Sequence, residues 1–320
     1  MNTVVTRPAQ PLISCVIPAF NEAENIGRFL AALHEALLQH STNIEMIVVN
    51  DGSRDDTAAR TILASQTLPV RLIDFSRNFG KEAALTAGIN HAEGDVVILI
   101  DADFQHPIAT IHEFMAQWRK GYDMVYGVRM DRHDETGIKR EGVKIFYWLL
   151  DRLSSVELPA DAGDFRLLDR NVVLALRQLP ERNRFMKGLY SWVGFNSLGV
   201  PFQVQERASG TTSFTFRNLW KLAVTGLVSF SDAPLRMWTV IGLVVSGISF
   251  LYAIYVVIKT MILGPDTSGW PTIVVAIMFF GGVQLISIGV LGEYIARIFN
   301  EVKQRPTYLV KNYHGFKKDK

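Results

Sequence analysis

The sequence predicts an α/β domain with a parallel sheet, followed by a pair of membrane-spanning helices. Three observations lead to this fold class. Apolar runs that read as buried strands alternate with helical stretches, polar residues follow the ends of these runs, and two long segments near the C-terminus contain no charged residue. Strands that alternate with helices favour a parallel sheet with right-handed crossovers.

The predicted elements follow one another in regular order. Short apolar runs predict strands at 12–18, 44–50, 70–76, 95–103 and 123–129. Apolar residues at helical spacing predict helices at 22–38, after the loop that follows residue 50, and at 82–92. Ligands of parallel sheets bind beyond the carboxyl ends of the strands, where the polar motifs of this chain lie.

The charges of the chain are nearly balanced, with 33 lysines and arginines against 31 aspartates and glutamates in 320 residues. A nucleic-acid-binding protein usually carries a dominant basic surface, so this class is excluded. Cys15 is the only cysteine, which rules out an intramolecular disulfide and fits a reducing compartment. The first residues lack the apolar core of a signal peptide, so we predict a cytoplasmic N-terminal domain.

Two charge-free segments, 237–258 and 271–292, are long enough to cross a membrane. At a rise of about 1.5 Å per residue each helix spans roughly 33 Å, against a hydrocarbon core of about 30 Å. Arg236 precedes the pair, and four basic residues follow it: Arg297, Lys303, Arg305 and Lys311. The positive-inside rule places both flanks in the cytoplasm. A buried helical hairpin in a soluble protein is the alternative.

Two further stretches, at about 140–153 and at 213–234, combine aromatic and basic residues at helical spacing. This pattern is typical of helices that lie on a lipid surface. Ordinary helices packed on the sheet are the alternative. The predicted organisation is a domain at 1–212 that includes an interfacial helix at about 140–153, an amphipathic juxtamembrane helix at 213–234, two transmembrane helices at 235–298, and a cytoplasmic tail at 299–320.

Asp101 and Asp103 place two carboxylates at the end of a buried strand. Hard divalent cations take carboxylate oxygens, and Mg²⁺ is usually shared between one or two carboxylates and substrate phosphates. Surface pairs of acidic residues are common, so the metal hypothesis depends on the position after the strand. The sequence therefore predicts a cation site for a phosphorylated substrate at this edge.

Two other loops follow strands and offer contacts to a nucleotide. Asp51 stands before Gly52, and its carboxylate is a candidate acceptor for a base or ribose, with a ligand-free turn as the alternative. Arg77 and Lys81 flank Gly80 at the start of a predicted helix, a position that attracts anions. A solvated basic loop is the alternative there.

The ordered motifs VIPAFNE, VVNDGS, SRNFGKEAAL, DADFQHP and GDFRLLDR, followed by two apolar segments, resemble the family-2 glycosyltransferases that act on polyprenyl phosphates. Nearly the whole chain is similar to bactoprenol glucosyltransferases, and its N-terminal domain is similar to dolichol-phosphate mannose synthases. The resemblance implies a GT-A domain, dependence on Mg²⁺ or Mn²⁺, and inverting transfer from a UDP-sugar. It also implies a multi-pass homotetramer in a bacterial inner membrane, with both termini in the cytoplasm.

The resemblance also implies roles for individual residues. The nucleotide contacts are Pro18, Ala19, Glu22, Asp51 and Lys81. Asp101 and Asp103 serve the nucleotide and the metal, with Gln105 as a further metal or diphosphate contact. Arg207, Gly210 and Ser213 fit a phosphate-binding segment of the family, but Phe214 stands where relatives carry a lysine.

The acceptor of this family is a phosphate monoester, which is already anionic at neutral pH, so the reaction needs no dedicated base. Asp164 matches a position near the acceptor, where it orients a substrate or acts as a base, and Arg166 is its candidate salt-bridge partner. Basic residues close to the bilayer are the candidate acceptor-phosphate ligands: Arg129, Arg140, Lys144 and Arg207, with Ser213.

The sequence gives less support to competing functions. A processive polysaccharide synthase normally has more spans and a Q-x-x-R-W segment, and a dinucleotide oxidoreductase needs a G-x-G-x-x-G loop, which the first loop lacks. A non-catalytic membrane scaffold remains an alternative. Glucose is the favoured sugar, and mannose, galactose and an aminoarabinose-type sugar remain open.

Overall fold

The computed structural model describes residues 7–130, 162–182, 184–203, 233–264 and 269–316. The strands are β1 Ile13–Ala19, β2 Ile44–Asn50, β3 Val70–Phe75, β4 Val96–Leu99, β5 Met124–Arg129, β6 Ala162–Asp169, β7 Ser197–Phe202 and β8 Val310–His314. The helices are α1 Ile26–Leu38, α2 Thr57–Ala64, α3 Lys81–His91, α4 Thr110–Arg119, α5 Arg170–Gln178, α6 Met186–Trp192, α7 Ala233–Leu263 and α8 Trp270–Val302. All five predicted strands and the three helices predicted between them are present.

One eight-stranded sheet forms the centre of the domain, in the order β7-β5-β6-β4-β1-β2-β3-β8. The strands β4, β1, β2 and β3 are parallel, as predicted. The expectation of a purely parallel sheet is wrong, because β6 runs antiparallel between β4 and β5 and β8 runs antiparallel to β3. The regular alternation of strands and helices that predicts parallel strands covers only the first half of the chain.

The core lies on both faces of this sheet. Alternate residues of β1 point to opposite faces, so Cys15 and Ile17 pack with α1 and α4, while Val16 packs with α3, α5 and α6. Helices α1 and α4 each contribute a stripe of buried apolar side chains. The result is a three-layer domain whose loops after β1, β2, β3 and β4 meet at one edge.

The two C-terminal helices present apolar side chains to the outside. Among the described residues, one helical stretch, Val275–Val302, is long and apolar enough to cross a membrane, and Gly247–Leu263 is a shorter apolar stretch. Phe250, Leu251 and Met278 are examples of large side chains that are more than two-thirds exposed there. Because exposed apolar surface of this extent is unfavourable in water, the hairpin indicates membrane association.

The end of α8 returns to the domain. The Glu301 carboxylate accepts the backbone N–H of Arg182 at 3.0 Å, and the Arg182 guanidinium donates to the Arg305 carbonyl at 2.8 Å. The chain then adds β8 to the edge of the sheet, a strand that the sequence analysis did not predict. The predicted helix at 140–153 and nearly all of that at 213–234 lie outside the described residues.

Candidate active site

Three loops lie at the carboxyl ends of the parallel strands, at residues 19–22, 50–57 and 77–80. We call them the donor-side loops, after the nucleotide-sugar donor that the sequence analysis predicts for them. The first two are joined by hydrogen bonds: the Asn21 N–H donates to the Ser53 hydroxyl at 2.9 Å, and the Arg54 N–H donates to the Asn21 side chain at 2.9 Å. The Glu22 N–H donates to the Thr57 hydroxyl at 2.9 Å. Asn21 has a φ of 56°, which an asparagine tolerates better than most residues.

Asp51 joins the second loop to the third. Its carboxylate accepts the backbone N–H groups of Phe79 at 2.6 Å and Gly80 at 2.9 Å. Burial raises the pKa of Asp51, and the two N–H groups and Arg77 oppose that rise. Both carboxylate oxygens of Asp51, a predicted nucleotide contact, therefore already accept a hydrogen bond from within the protein.

Gly52 permits the close approach of these two loops. It has a φ of 64°, and a Cβ atom there would lie 2.3 Å from the Arg77 carbonyl carbon and 2.5 Å from the Asn78 nitrogen. Both a left-handed conformation and contact at such a distance require glycine. The predicted tight turn after β2 is therefore present, and it supports the loop before α3.

Lys81 connects the aspartates of two different strands. Its ammonium lies 2.7 Å from Asp101 Oδ2, beyond the end of β4, and 3.0 Å from Asp164 Oδ2, on β6. Burial alone would lower the pKa of Lys81, but the two carboxylates outweigh it and raise the pKa above its ordinary value. Three residues that the sequence assigned to separate roles therefore form one charged group.

The turn after Asp101 presents the remaining predicted metal ligands. Phe104 has a φ of 59°, a strained value for an aromatic residue, and its ring packs edge-on against Phe29 at 5.2 Å. The Gln105 N–H donates to Asp103 Oδ1 at 3.1 Å. Packing of Phe104 into the core thus holds Asp103 and Gln105 on the outer side of the turn.

This donor set fits Mg²⁺ or Mn²⁺. Two carboxylates and an amide provide the oxygen ligands that hard cations take. In the part of the chain that the structure describes, no group of three or more histidine, cysteine, aspartate or glutamate side chains is placed to hold a metal. Mg²⁺ is usually shared between one or two carboxylates and substrate phosphates, and these residues fit that arrangement.

Asp164 and four buried or half-buried ionisable groups whose charges act on one another form what we call the Asp164 cluster: Asp164, Arg166, Glu82, Lys187 and Tyr190. Burial alone would raise the pKa of Asp164, but Lys81, Lys187 and Arg166 outweigh it and hold the pKa below its usual value. Its Oδ1 atom is buried and has no hydrogen-bond partner among the described residues. The structure therefore presents an ionised carboxylate with one unsatisfied oxygen.

Arg166 acts differently from its predicted role as a salt-bridge partner. Its guanidinium lies over the Tyr190 ring at 3.7 Å and donates to the Gly163 carbonyl at 2.6 Å. The ion-pair partner of Asp164 among the described residues is Lys81. Arg166 thus fixes the backbone beside Asp164 and adds positive charge behind it.

Glu82, Lys187 and Tyr190 were missed by sequence reasoning. Burial and the neighbouring Asp164 raise the pKa of Glu82 to about 7, and its carboxylate accepts the Met186 N–H at 3.1 Å. Burial lowers the pKa of Lys187 against the opposing effect of Asp164. Glu82 adjoins Lys81, and the other two lie in the segment LPERNRFMKGLYSWVGF, but no periodic pattern distinguishes them from packing residues.

The predicted acceptor-phosphate ligands are only partly within the described residues. Arg129 is the exposed last residue of β5, and its charge acts on His106, which itself lies 3.9 Å from Asp101. Arg129 thus stays a candidate ligand of the acceptor phosphate. The other candidates lie outside the described residues: Arg140, Lys144, Arg207 and Ser213.

Comparison with known proteins gives two family matches. The model of glycosyl transferase family 2 matches residues 14–176, and that of the GtrB C-terminal hairpin matches residues 233–298. The chain belongs to glycosyl transferase family 2. The family matches confirm the predicted GT-A-like domain with a C-terminal helical hairpin.

Curated relatives extend this similarity over nearly the full chain. The SfII prophage-derived bactoprenol glucosyl transferase of Shigella flexneri is 46% identical over 304 residues, which cover 94% of this chain and 98% of the relative. The prophage bactoprenol glucosyl transferase homolog of Escherichia coli K12 is 44% identical, with 93% and 98% covered. An uncharacterized glycosyltransferase of Synechocystis is 46% identical, with 95% and 96% covered.

Proposed function

We propose that this glycosyltransferase transfers glucose from UDP-glucose to undecaprenyl or another polyprenyl phosphate. The observation that carries the proposal is the charged group Asp101–Lys81–Asp164, at the carboxyl ends of the strands, in a chain that ends in an apolar hairpin. Similarity to bactoprenol glucosyl transferases over nearly the whole length supports both the sugar and the lipid acceptor.

The reaction is a single in-line displacement with inversion at the anomeric carbon. An anionic oxygen of the lipid phosphate forms a bond to that carbon while the bond to the UDP β-phosphate oxygen breaks. The electron pair of that bond leaves with UDP. Since the attacking oxygen is already deprotonated at neutral pH, catalysis depends mainly on orientation and on stabilisation of the leaving diphosphate.

The residues divide these tasks between the two sides of the site. We assign the nucleotide to the donor-side loops, with Pro18, Ala19, Glu22, Asp51 and Lys81. Asp101, Asp103 and Gln105 would hold a divalent cation, which would neutralise the charge of the diphosphate when bound. Asp164 faces the other side, where we assign it to orienting the sugar or the acceptor.

The proposed topology follows from the hairpin. With α7 and α8 both crossing a bacterial inner membrane, the domain at 1–212 and the tail at 299–320 lie in the cytoplasm, where UDP-glucose is available. The interfacial helices at 140–153 and 213–234 then lie on the inner leaflet. A homotetramer is part of the proposal, and mass measurement of the purified protein in detergent tests it.

The decisive test of function weighs the lipid product. Membranes that contain the protein are incubated with undecaprenyl phosphate and a panel of nucleotide sugars, and the glycolipid is identified by mass spectrometry. We expect a hexose adduct with UDP-glucose, and we expect EDTA to abolish it and Mg²⁺ or Mn²⁺ to restore it.

The paired variant Asp101→Asn/Asp103→Asn is expected to lower turnover by about 10³-fold, because both charged ligands of the cation are lost. The exposed Glu35 of α1, outside the donor-side loops, offers a control for the loss of a surface carboxylate as Glu35→Gln. Undiminished product from the paired variant, or no product with any nucleotide sugar from the wild type, would overturn the proposal.

A further inference from the structure

The end of α8 is attached to the domain through Arg182 and Glu301, and we call this pair the α8 contact. Both oxygens of the Glu301 carboxylate accept the backbone N–H of Arg182, at 3.0 Å and 3.2 Å. The Arg182 guanidinium donates in turn to the Arg305 carbonyl at 2.8 Å, just beyond the end of the helix. The last turn of α8 and the chain that leaves it are therefore both bonded to the same residue of the domain.

The turn that ends α8 brings the Arg305 carbonyl to this position. Gln304 has a φ of 51°, a left-handed conformation that is common just after a helix but uncommon for a residue other than glycine. Its N–H donates to the Glu301 carbonyl at 3.2 Å. Such a conformation persists where the surrounding structure supports it, and the bond from Arg182 to Arg305 provides that support.

The tail gives the hairpin a second attachment, at the edge of the sheet. The Ser76 N–H donates to the Leu309 carbonyl at 3.0 Å, and the Tyr308 ring stacks on Phe75 at 5.0 Å. The chain then pairs with β3 as β8. A domain held at one point can tilt about that point, whereas two contacts on different elements restrict the tilt. The α8 contact is therefore the part of the attachment that opposes tilting about the tail.

The α8 contact lies shortly before the helix that packs against the site. Met186 begins α6, and its N–H donates to the Glu82 carboxylate at 3.1 Å. Most residues of α6 are buried in the domain, so this helix moves with the site. Glu82 adjoins Lys81, whose ammonium pairs with the two aspartates of the site. A contact just before α6 thus fixes the hairpin relative to the reacting groups.

The proposed reaction requires such a fixed relation. The bilayer determines where the phosphate of a lipid acceptor lies, and the domain determines where the sugar lies. In-line attack therefore depends on the orientation of the domain on its hairpin. A displacement of about 1 Å at a reacting centre can lower the rate by about 10²-fold. An acceptor that reaches the site from water does not depend on this orientation.

We propose that Glu301 is a positioning residue: through Arg182 it holds the domain in one orientation on the membrane hairpin, so that the phosphate of a polyprenyl acceptor in the bilayer meets the reacting groups. This inference rests on the proposed function and adds to it a residue that touches neither substrate. Glu301 acts on acceptors that the bilayer holds in place.

Two acceptors that reach the site from different sources test this assignment. The protein in vesicles receives UDP-glucose and either undecaprenyl phosphate in the bilayer or geranyl phosphate, a short polyprenyl phosphate that dissolves in water. Glu301→Ala is expected to lower kcat/KM for undecaprenyl phosphate by about tenfold or more, and that for geranyl phosphate by less than about twofold. Glu301→Gln keeps an oxygen for the Arg182 N–H and should recover most of the rate.

Glu293→Ala is the matched control, because Glu293 lies on the same helix and pairs with Arg297 of that helix at 3.5 Å. It should leave both rates unchanged. Arg182→Gln removes the guanidinium that bonds the Arg305 carbonyl and should cause a smaller loss confined to undecaprenyl phosphate. It also carries the test if Glu301→Ala does not fold. Equal losses with the two acceptors in the folded variants, or no loss with either, would overturn the inference.

Energy transfer keeps the inference testable if the proposed reaction fails. Cys15 is the only cysteine and is buried, so a dye can be attached selectively to Glu35→Cys. Position 35 is exposed on α1, which packs on the face of the sheet opposite to α6. Transfer to acceptor dyes on the lipid headgroups, recorded without substrates, measures the distribution of distances between this position and the bilayer.

Glu301→Ala should broaden this distribution, because the domain can then tilt about the tail, while Glu293→Ala should leave it unchanged. That result supports the inference even if the wild type transfers no sugar. An unchanged distribution in Glu301→Ala would overturn it. The failure of the proposed function is read separately, from the absence of a glycolipid product.

Discussion

The donor-side loops and the Asp164 cluster lie next to each other but satisfy their polar groups in opposite ways. In the donor-side loops, Asn21, Asp51 and Gly52 join three turns through hydrogen bonds or close backbone contact. In the Asp164 cluster, Asp164 Oδ1, Arg166 Nε and the Tyr190 hydroxyl are buried without a hydrogen-bond partner in the part of the chain that the structure describes. Within that part, the first region satisfies its polar groups without a ligand and the second does not.

On the proposed function, the two halves of the site therefore differ in what changes when a substrate binds. Loops whose polar groups are already hydrogen-bonded keep one conformation, so the binding of a nucleotide costs little conformational entropy. Buried polar groups without partners lower the stability of the protein and become favourable only when a ligand meets them. On the proposed function, the cluster is less stable without a ligand and gains its missing interactions from the reacting groups.

Asp164→Asn is the substitution with the largest expected effect on this contrast. Turnover should fall by about 10²- to 10³-fold, because the orienting carboxylate is lost, while the affinity for UDP changes less than about twofold. Initial rates and UDP titration measure the two quantities. If turnover were unchanged, the cluster would have no part in the reaction. If UDP affinity fell equally, the division of the site into two halves would be wrong.

Gly52→Ala tests the rigidity of the donor-side loops. The new Cβ meets the Arg77 backbone at 2.3 Å in a left-handed conformation, so the free energy of unfolding should fall by about 2–4 kcal/mol and UDP binding should weaken. Denaturant unfolding and UDP titration are the measurements.

Gly121→Ala is the matched control, because Gly121 also has a positive φ, of 109°, but has open space around the position of a Cβ atom. Its loss of stability should be smaller and UDP binding should be unchanged. Equal effects of the two substitutions would mean that backbone strain alone, rather than the loop contact, matters.

Glu82→Gln tests the stability of the Asp164 cluster against pH. The pKa of Glu82 is raised to about 7 in the folded protein, so the folded state holds this proton more tightly than the unfolded state does. The resulting stability is fully present below the ordinary pKa of a glutamate and is lost as the pH rises through about 7. Glutamine can still accept the Met186 N–H but does not ionise.

The unfolding midpoint of the wild type should therefore fall between about pH 6 and about pH 8 by more than that of Glu82→Gln. Thermal unfolding at several pH values measures this difference. The exposed Glu35 of α1 provides the control as Glu35→Gln, which should follow the wild type. Parallel curves for the wild type and Glu82→Gln would mean that this carboxyl group is ionised throughout.

Tyr308→Ala is expected to have the smallest effect and tests the support that the tail gives to the donor-side loops. The Tyr308 ring stacks on Phe75 at 5.0 Å, and Phe75 contacts Phe79 at 5.7 Å. Loss of the ring should lower the free energy of unfolding by about 1 kcal/mol and raise the Michaelis constant for UDP-glucose by less than about threefold. Tyr308→Phe keeps the ring and should match the wild type.

Much of the fold could be predicted from local patterns. Apolar periodicity identified β1 to β5 and helices α1 to α3, and the aspartates after β2 and β4 marked the edge where the site lies. The charge-free segments identified the hairpin. Asp164 and Lys81 were named as site residues, but nothing local in either motif indicated that their side chains form an ion pair.

The sequence alone determined β1 to β5, α1 to α3, the loops of the candidate site and the family, because periodicity and motifs are properties of short segments. Only the tertiary structure placed β6 antiparallel beside β4, joined Arg182 to the end of α8, and paired Lys81 with Asp164. These contacts join residues far apart in the chain. They depend on which surfaces pack together and on which charges become buried. Neither the packing nor the burial of charge produces a periodic pattern in the sequence.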